Sequence, residues 1–134
     1  MTTLHGQCLC GTVHYDIIDG PGRVSHCHCA MCRKAHGAAF ASYGVVPTAR
    51  HRFTAGADAV RAYHSSSSTV RSFCGQCGSP LTWVDEARFP GIVGYPLGGI
   101  DTPFTFDVAK AQHIYTAHKA PWHEILDAAP QIPC

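Results

Sequence analysis

Over "GTVHYDII" the apolar Val13, Tyr15 and Ile17 alternate with His14 and Asp16, a period of two that predicts a half-buried strand. The stretches "AAFASYGVV" (38–46), "DAVRAYH" (58–64), "TVRSF" (69–73), "PLTWV" (80–84) and "GIVGYPL" (91–97) are equally short, aromatic or β-branched, and punctuated by Gly, Pro or Ser. A mainly β chain follows. Helical character is confined to "AMCRKAHG", Ala30 to Gly37, which has helix-tolerant residues and a glycine stop, and to "PWHEILDAA" (121–129), where a second short helix or a turn would begin at Pro121. The run "HSSSSTV" (64–70) is read as a hairpin loop and not as a hinge between domains.

A length of 134 residues suits one domain spanning 1–134, since two full-sized cores do not fit. Ten Lys and Arg against nine Asp and Glu leave a net charge of +1, with no basic segment of the kind that tracks nucleic acid or an anionic membrane. No stretch approaches the ~20 apolar residues that cross a bilayer, and the N-terminus lacks the pattern of a signal peptide. The expected setting is cytoplasmic, without nucleic-acid or membrane partners.

Charged residues make up only 14% of the chain, while ten histidines and eight cysteines take an unusual share of its polar chemistry. Seven cysteines fall into three tight groups: Cys8 and Cys10, then Cys27, Cys29 and Cys32, then Cys74 and Cys77. Disulfides within such groups would close tiny loops and constrain little of the unfolded chain. Metal explains the spacing better. The turn in "FCGQCGSPL" places two sulfurs on one side of the backbone, with Gly75 and Gly78 free to take the required angles. In an extended "CLC" residues i and i+2 face one way, so Cys8 and Cys10 complete a structural zinc site with Cys74 and Cys77.

Cys27, Cys29 and Cys32 then supply three thiolates and leave a fourth position open, the arrangement of a catalytic zinc. A closed alternative would recruit a histidine. His26 and His28 alternate with the cysteines and point to the opposite face, whereas His36, four residues beyond Cys32, would swing in if the short helix forms. Most of the other histidines are expected at the surface or in ordinary hydrogen bonds. Cys134 is expected to be an exposed thiol outside either site.

Taken together, "GQCLCGTVHYD", "HCHCAMCRKAHGAAF", "SSSTVRSFCGQCGSPL" and "QHIYTAHKAPWHEI" resemble the glutathione-dependent formaldehyde-activating enzyme family, also named for centromere protein V. The resemblance covers nearly the whole chain in the expected order. It implies an antiparallel β-tent of the Mss4-like type, with Cys8, Cys10, Cys74 and Cys77 matching the family's structural zinc ligands and Cys27, Cys29 and Cys32 its catalytic ones. Two zincs per chain are thereby implied. So is carbon–sulfur lyase chemistry on an adduct such as S-hydroxymethylglutathione, formed from formaldehyde and a small thiol that would be glutathione.

Three arginines and lysines near the cysteine motifs, Arg33, Lys34 and Arg71, are candidates to hold the thiol's carboxylates, although solvated exposure is the expected state of each. Phe73, Trp83 and Trp122 are candidates to wall a small-molecule cleft, although core packing is the ordinary role of such residues. Two other functions stand beside the enzyme: a zinc module that binds a protein or buffers metal, and a thiol redox protein working through the central trio.

Overall fold

The computed structural model describes residues 2–134. Among the described residues eleven strands form two sheets. β1 (Thr3–Gln7), β2 (His14–Ile18) and β5 (His51–Ala55) make an antiparallel three-stranded sheet in the order β1-β2-β5. The second sheet contains β3 (Arg23–Cys27), β4 (Ala41–Pro47), β6 (Val60–His64), β7 (Val70–Cys74), β8 (Pro80–Val84), β9 (Ile92–Pro96), β10 (Gln112–Ile114) and β11 (Gln131–Ile132). Its order is β11-β10-β3-β4-β9-β8-β7-β6. From β3 to β6 the pairing is antiparallel, and β10 and β11 add to the β3 edge in parallel register. Among the described residues no helix is long and apolar enough to cross a membrane.

Val13, Tyr15 and Ile17 are buried as their alternation predicts, whereas Asp16 departs from it. Asp16 lies inward because His5 Nδ1 reaches its carboxylate at 2.6 Å and Arg52 Nη2 donates to it at 3.3 Å. Leu4, Tyr15, Ile17, Val46, Leu81, Val93 and Tyr95 form the main core, which joins the two sheets. Each large side chain fully withdrawn from water contributes roughly 1.5–3 kcal/mol. Gly44 of β4 faces Tyr95 of β9 in register, and a methyl group there would run into the tyrosine ring. With that space open, the Tyr95 hydroxyl donates to Pro21 O at 2.6 Å.

α1 (Ala30–His36) is the single α-helix among the described residues, within the predicted segment. Gly37 ends it at φ 61°, and its N–H closes on Arg33 O. The second expected segment, 121–129, forms turns and no helix. Within it the His123 carbonyl is taken from outside a helical ladder, since Lys119 Nζ donates to it. Trp122 and Leu126 remain 71% and 82% exposed, so the segment lacks a buried apolar face to support a helix. Residues 65–69 connect β6 to β7 as a hairpin loop, as the serine run suggests.

Candidate metal centres and cleft

The two sheets meet at the first thiol cluster. Cys8 and Cys10 sit in the turn between β1 and β2, closed by Gly11 N–H donating to Cys8 O at 3.1 Å. The expected extended "CLC" is therefore a turn. Both sulfurs still reach one point, because the tight reversal gathers them. Cys74 ends β7, and Cys77 lies in the turn to β8, where Gly78 N–H donates to Cys74 O at 2.8 Å with φ at 80°. Gly75 serves a different need: a Cβ there would stand 2.9 Å from Ala59 O.

All four sulfurs lie within 4.8 Å of one another, with Cys8 and Cys10 separated by 3.6 Å and Cys10 and Cys74 by 3.9 Å. Sulfurs placed tetrahedrally at ~2.3 Å from a zinc ion are about 3.8 Å apart, so the donor set fits that ion. Val13 N–H and Gln76 N–H donate to Cys8 and Cys74 Sγ at 3.3 and 3.4 Å, which suits thiolate acceptors.

The second cluster lies where β3 gives way to α1. Cys27 is the last residue of β3, Cys29 is the N-cap of the helix, and Cys32 is buried in its first turn. Cys32 N–H donates to Cys29 Sγ at 3.3 Å, and Arg33 N–H to Cys29 O at 3.0 Å. The three sulfurs lie within 4.8 Å of one another, with no further histidine, cysteine or carboxylate in the group among the described residues. Hydrogen bonds from Cys27 and Cys32 hold the Cys29 thiol far below its ordinary range, while the same crowding pushes Cys27 up. Three thiols compelled to share charge in this way are a donor set suited to a cation. All eight cysteines are unbridged.

The histidines considered as a fourth ligand are engaged elsewhere. His36 Nε2 lies 2.9 Å from the Tyr43 hydroxyl. His26 Nδ1 meets Ser42 Oγ at 2.8 Å, and His28 is fully buried against His113. Burial brings the His28 imidazole down to about 4. Both alternate with the cysteines, as the sequence predicts, and neither lines the space in front of them.

That space is a cleft of about 450 Å³ with Cys27, Cys29 and Cys32 in its wall. Val45, Trp83, Phe89 and Ile114 give it apolar sides, and Arg23, Arg71 and Arg88 are its charged side chains, with no acidic side chain in the lining among the described residues. Arg71 corrects the expectation of solvated exposure. It is half-buried and donates three ways: Nε to Ser65 Oγ at 3.1 Å, Nη1 to the Tyr43 hydroxyl at 3.2 Å and Nη2 to Cys32 Sγ at 3.5 Å. A smaller hollow of about 230 Å³, lined by His36, Tyr63 and Phe73 among others, shares Tyr43 and Arg71 with the cleft.

Of the other sequence candidates, Arg33 turns its Nε to His28 O at 3.4 Å, and neither it nor the exposed Lys34 lines the cleft. Trp83 lines the cleft, Phe73 lines the smaller hollow, and Trp122 lines neither. Cys134 is exposed as expected, but β11 carries it to the cleft, which the sequence did not indicate. Sequence reasoning also missed Arg23 and Arg88. Arg88 is fixed by Asp85, whose carboxylate accepts from Arg88 Nε at 2.7 Å and from the Ser68 and Thr69 hydroxyls at 3.0 Å. Burial alone would raise the Asp85 carboxyl, and these bonds outweigh it and bring it to about 2.

The sequence matches a family profile described as glutathione-dependent formaldehyde-activating enzyme over residues 3–118. An uncharacterized lyase of Schizosaccharomyces pombe is 31% identical over 83 residues, which are 60% of this chain and 57% of that protein. The chain thus spans rather more than half the length of that relative. A crystal structure of a Rhodobacter sphaeroides protein superposes with a TM-score of 0.64 at 20% identity, covering 81% of this chain and 98% of the other, which shows a shared fold.

Proposed function

The chain belongs to the glutathione-dependent formaldehyde-activating enzyme family, and on that premise we propose that it is a carbon–sulfur lyase acting on the adduct of a small anionic thiol and an aldehyde. Cys8, Cys10, Cys74 and Cys77 would hold a structural zinc, and Cys27, Cys29 and Cys32 a catalytic one. The observation that carries this reading is an open trio of thiols in the wall of a cleft whose charged side chains, among the described residues, are all arginines.

In the lyase direction the carbon–sulfur bond of a hydroxymethyl thioether breaks, sulfur keeps the electron pair, and the hydroxyl loses its proton as the carbonyl forms. Condensation reverses each step. A zinc on the trio would offer one exchangeable position that stabilises the substrate sulfur as a thiolate at neutral pH. The chain's own residues supply the surroundings. Arg71 Nη2, already donating to Cys32 Sγ, places a fixed positive charge beside the site where thiolate charge develops. Its other two nitrogens, Nε and Nη1, donate to Ser65 and Tyr43, which hold the guanidinium in place. Arg23 and Arg88 offer donors to substrate carboxylates, Arg88 being steadied by the buried Asp85. Trp83, Ile114 and Val45 pack around the thiol cluster and keep water from that end of the cleft.

Condensation of formaldehyde with glutathione, followed on zinc-loaded protein beside an uncharged thiol of matched acidity, tests the proposal. Acceleration is expected for glutathione, with loss on chelation and a weaker effect on the uncharged thiol. A protein carrying two zincs that accelerates neither reaction would refute the lyase reading.

A further inference from the structure

Behind the trio, turned away from the cleft, three polar side chains from distant parts of the sequence join in one chain. His28 Nε2 lies 2.8 Å from His113 Nδ1, and His113 Nε2 lies 3.0 and 3.2 Å from the two carboxylate oxygens of Asp127. His28 and His113 are fully buried, with Phe40 packed against both rings at centroid separations of 4.8 and 5.5 Å. An ionised carboxylate only accepts hydrogen bonds, so His113 donates from Nε2, and its other ring nitrogen, Nδ1, faces His28 as the acceptor of its one-proton tautomer. His28 must then donate from Nε2. Its Nδ1 is left bare, and that atom is buried with no partner.

A bare buried nitrogen costs stability that leucine or phenylalanine in the same space would not, and His51 Nε2 is bare in the same way. What distinguishes His28 is its place between two sulfur ligands. Its backbone is held as firmly as its ring: the N–H donates to Ile114 O at 3.0 Å, and the carbonyl accepts from Arg33 Nε at 3.4 Å. The parallel register of β10 on β3, with His113 opposite His26 and Ile114 opposite Cys27, brings these partners to the loop. Asp127 is fixed in turn, since its Oδ1 accepts Ala129 N–H at 3.0 Å.

We propose that Asp127 and His113 are positioning residues for metal capture, holding the His28 ring so that the peptide units on either side aim Cys27 and Cys29 at one point. This rests on the reading of the trio as a metal site. Outer partners that orient a ligand set commonly change metal affinity by about 10–100-fold. Here they act through the residue between the ligands, and the four-thiol site has no part in the chain of bonds.

The test uses the zinc-loaded full chain, chelator competition and native mass spectrometry, which counts two, one or no zinc per molecule. His113→Phe keeps the volume but breaks the chain of bonds. It should weaken one zinc about tenfold or more and leave the other unchanged. Asp127→Asn, which keeps an acceptor oxygen, should stay close to wild type, whereas Asp127→Ala at the exposed end should follow His113→Phe and serves if that variant does not fold. In the 15N-labelled protein, His28 should show the Nε2–H tautomer. Unchanged affinities, equal weakening of both zincs or a His28 Nδ1–H resonance would each overturn the inference. Wild-type protein that binds only one zinc would overturn the metal reading of the trio as well. Two wild-type zincs with no effect of His113→Phe would overturn this inference alone.

Discussion

The four-thiol cluster and the three-thiol cluster use the same side chain in different surroundings. Cys8 and Cys74 are buried in the main core beside Tyr15 and Leu81, and their turns belong to different sheets. Cys27, Cys29 and Cys32 come from one strand–helix junction and face a cleft bearing Arg71. A ligand set drawn from residues 8–10 and 74–77 closes a long loop and ties sheet to sheet. A set drawn from residues 27–32 closes almost none. On the proposed reading the first would stabilise the fold and the second would exchange ligands, and the difference lies in how far apart in the chain the sulfurs originate.

Four measurements would break or sharpen that contrast. The largest effect is expected from Cys74→Ser. A four-thiolate zinc contributes on the order of 10 kcal/mol to folding at neutral pH, so the variant should lose cooperative unfolding by circular dichroism, and a native-like melt would show that the clasp does not hold the sheets. Next comes Cys29→Ser, for which metal analysis should fall from two zincs to one while the melt stays cooperative and turnover drops at least about a hundredfold. Retention of full turnover would remove the trio from the chemistry.

Arg71→Ala should act more mildly. A hydrogen bond to a charged group contributes about 1.5–3 kcal/mol, or about 10–100-fold in kcat/KM, with both zincs retained; steady-state kinetics equal to wild type would leave Arg71 a bystander.

The smallest effect concerns Asp85, which steadies Arg88 from beneath the cleft. Its folded carboxyl is lowered to about 2, against an ordinary value near ~3.9. The stability it adds is therefore fully present above pH ~4 and is lost as pH falls toward 2. Urea midpoints of wild type and Asp85→Asn should differ most at neutral pH and begin to draw together as pH falls below ~5. A constant difference would show that the carboxylate's charge contributes nothing. The comparison is confined to the acidic range in which both proteins still hold zinc, since loss of the four-thiol clasp would abolish the transition in each.

The spacings Cys8/Cys10, Cys27/Cys29/Cys32 and Cys74/Cys77 could be read from the sequence because a few residues of backbone limit where neighbouring sulfurs can go. The same locality made the Ala30–His36 helix and the alternation of Val13, Tyr15 and Ile17 legible. Strands without a clean period, such as β1, β5 and β10, left no comparable signal. Segment 121–129 suits a short helix or a turn in isolation, and its turns are held by Lys119 and by Asp127 on His113.

By itself the sequence determined the grouping of its thiols, the mainly β character and the family. Tertiary structure alone decided what faces those thiols. It brought Arg71 to Cys32 across 39 residues and His113 to His28 across 85, and it set Arg23 and Arg88 on one cleft. Contacts of that kind depend on strand register and sheet order, which are fixed by the summed burial of the whole core and by no short stretch of chain.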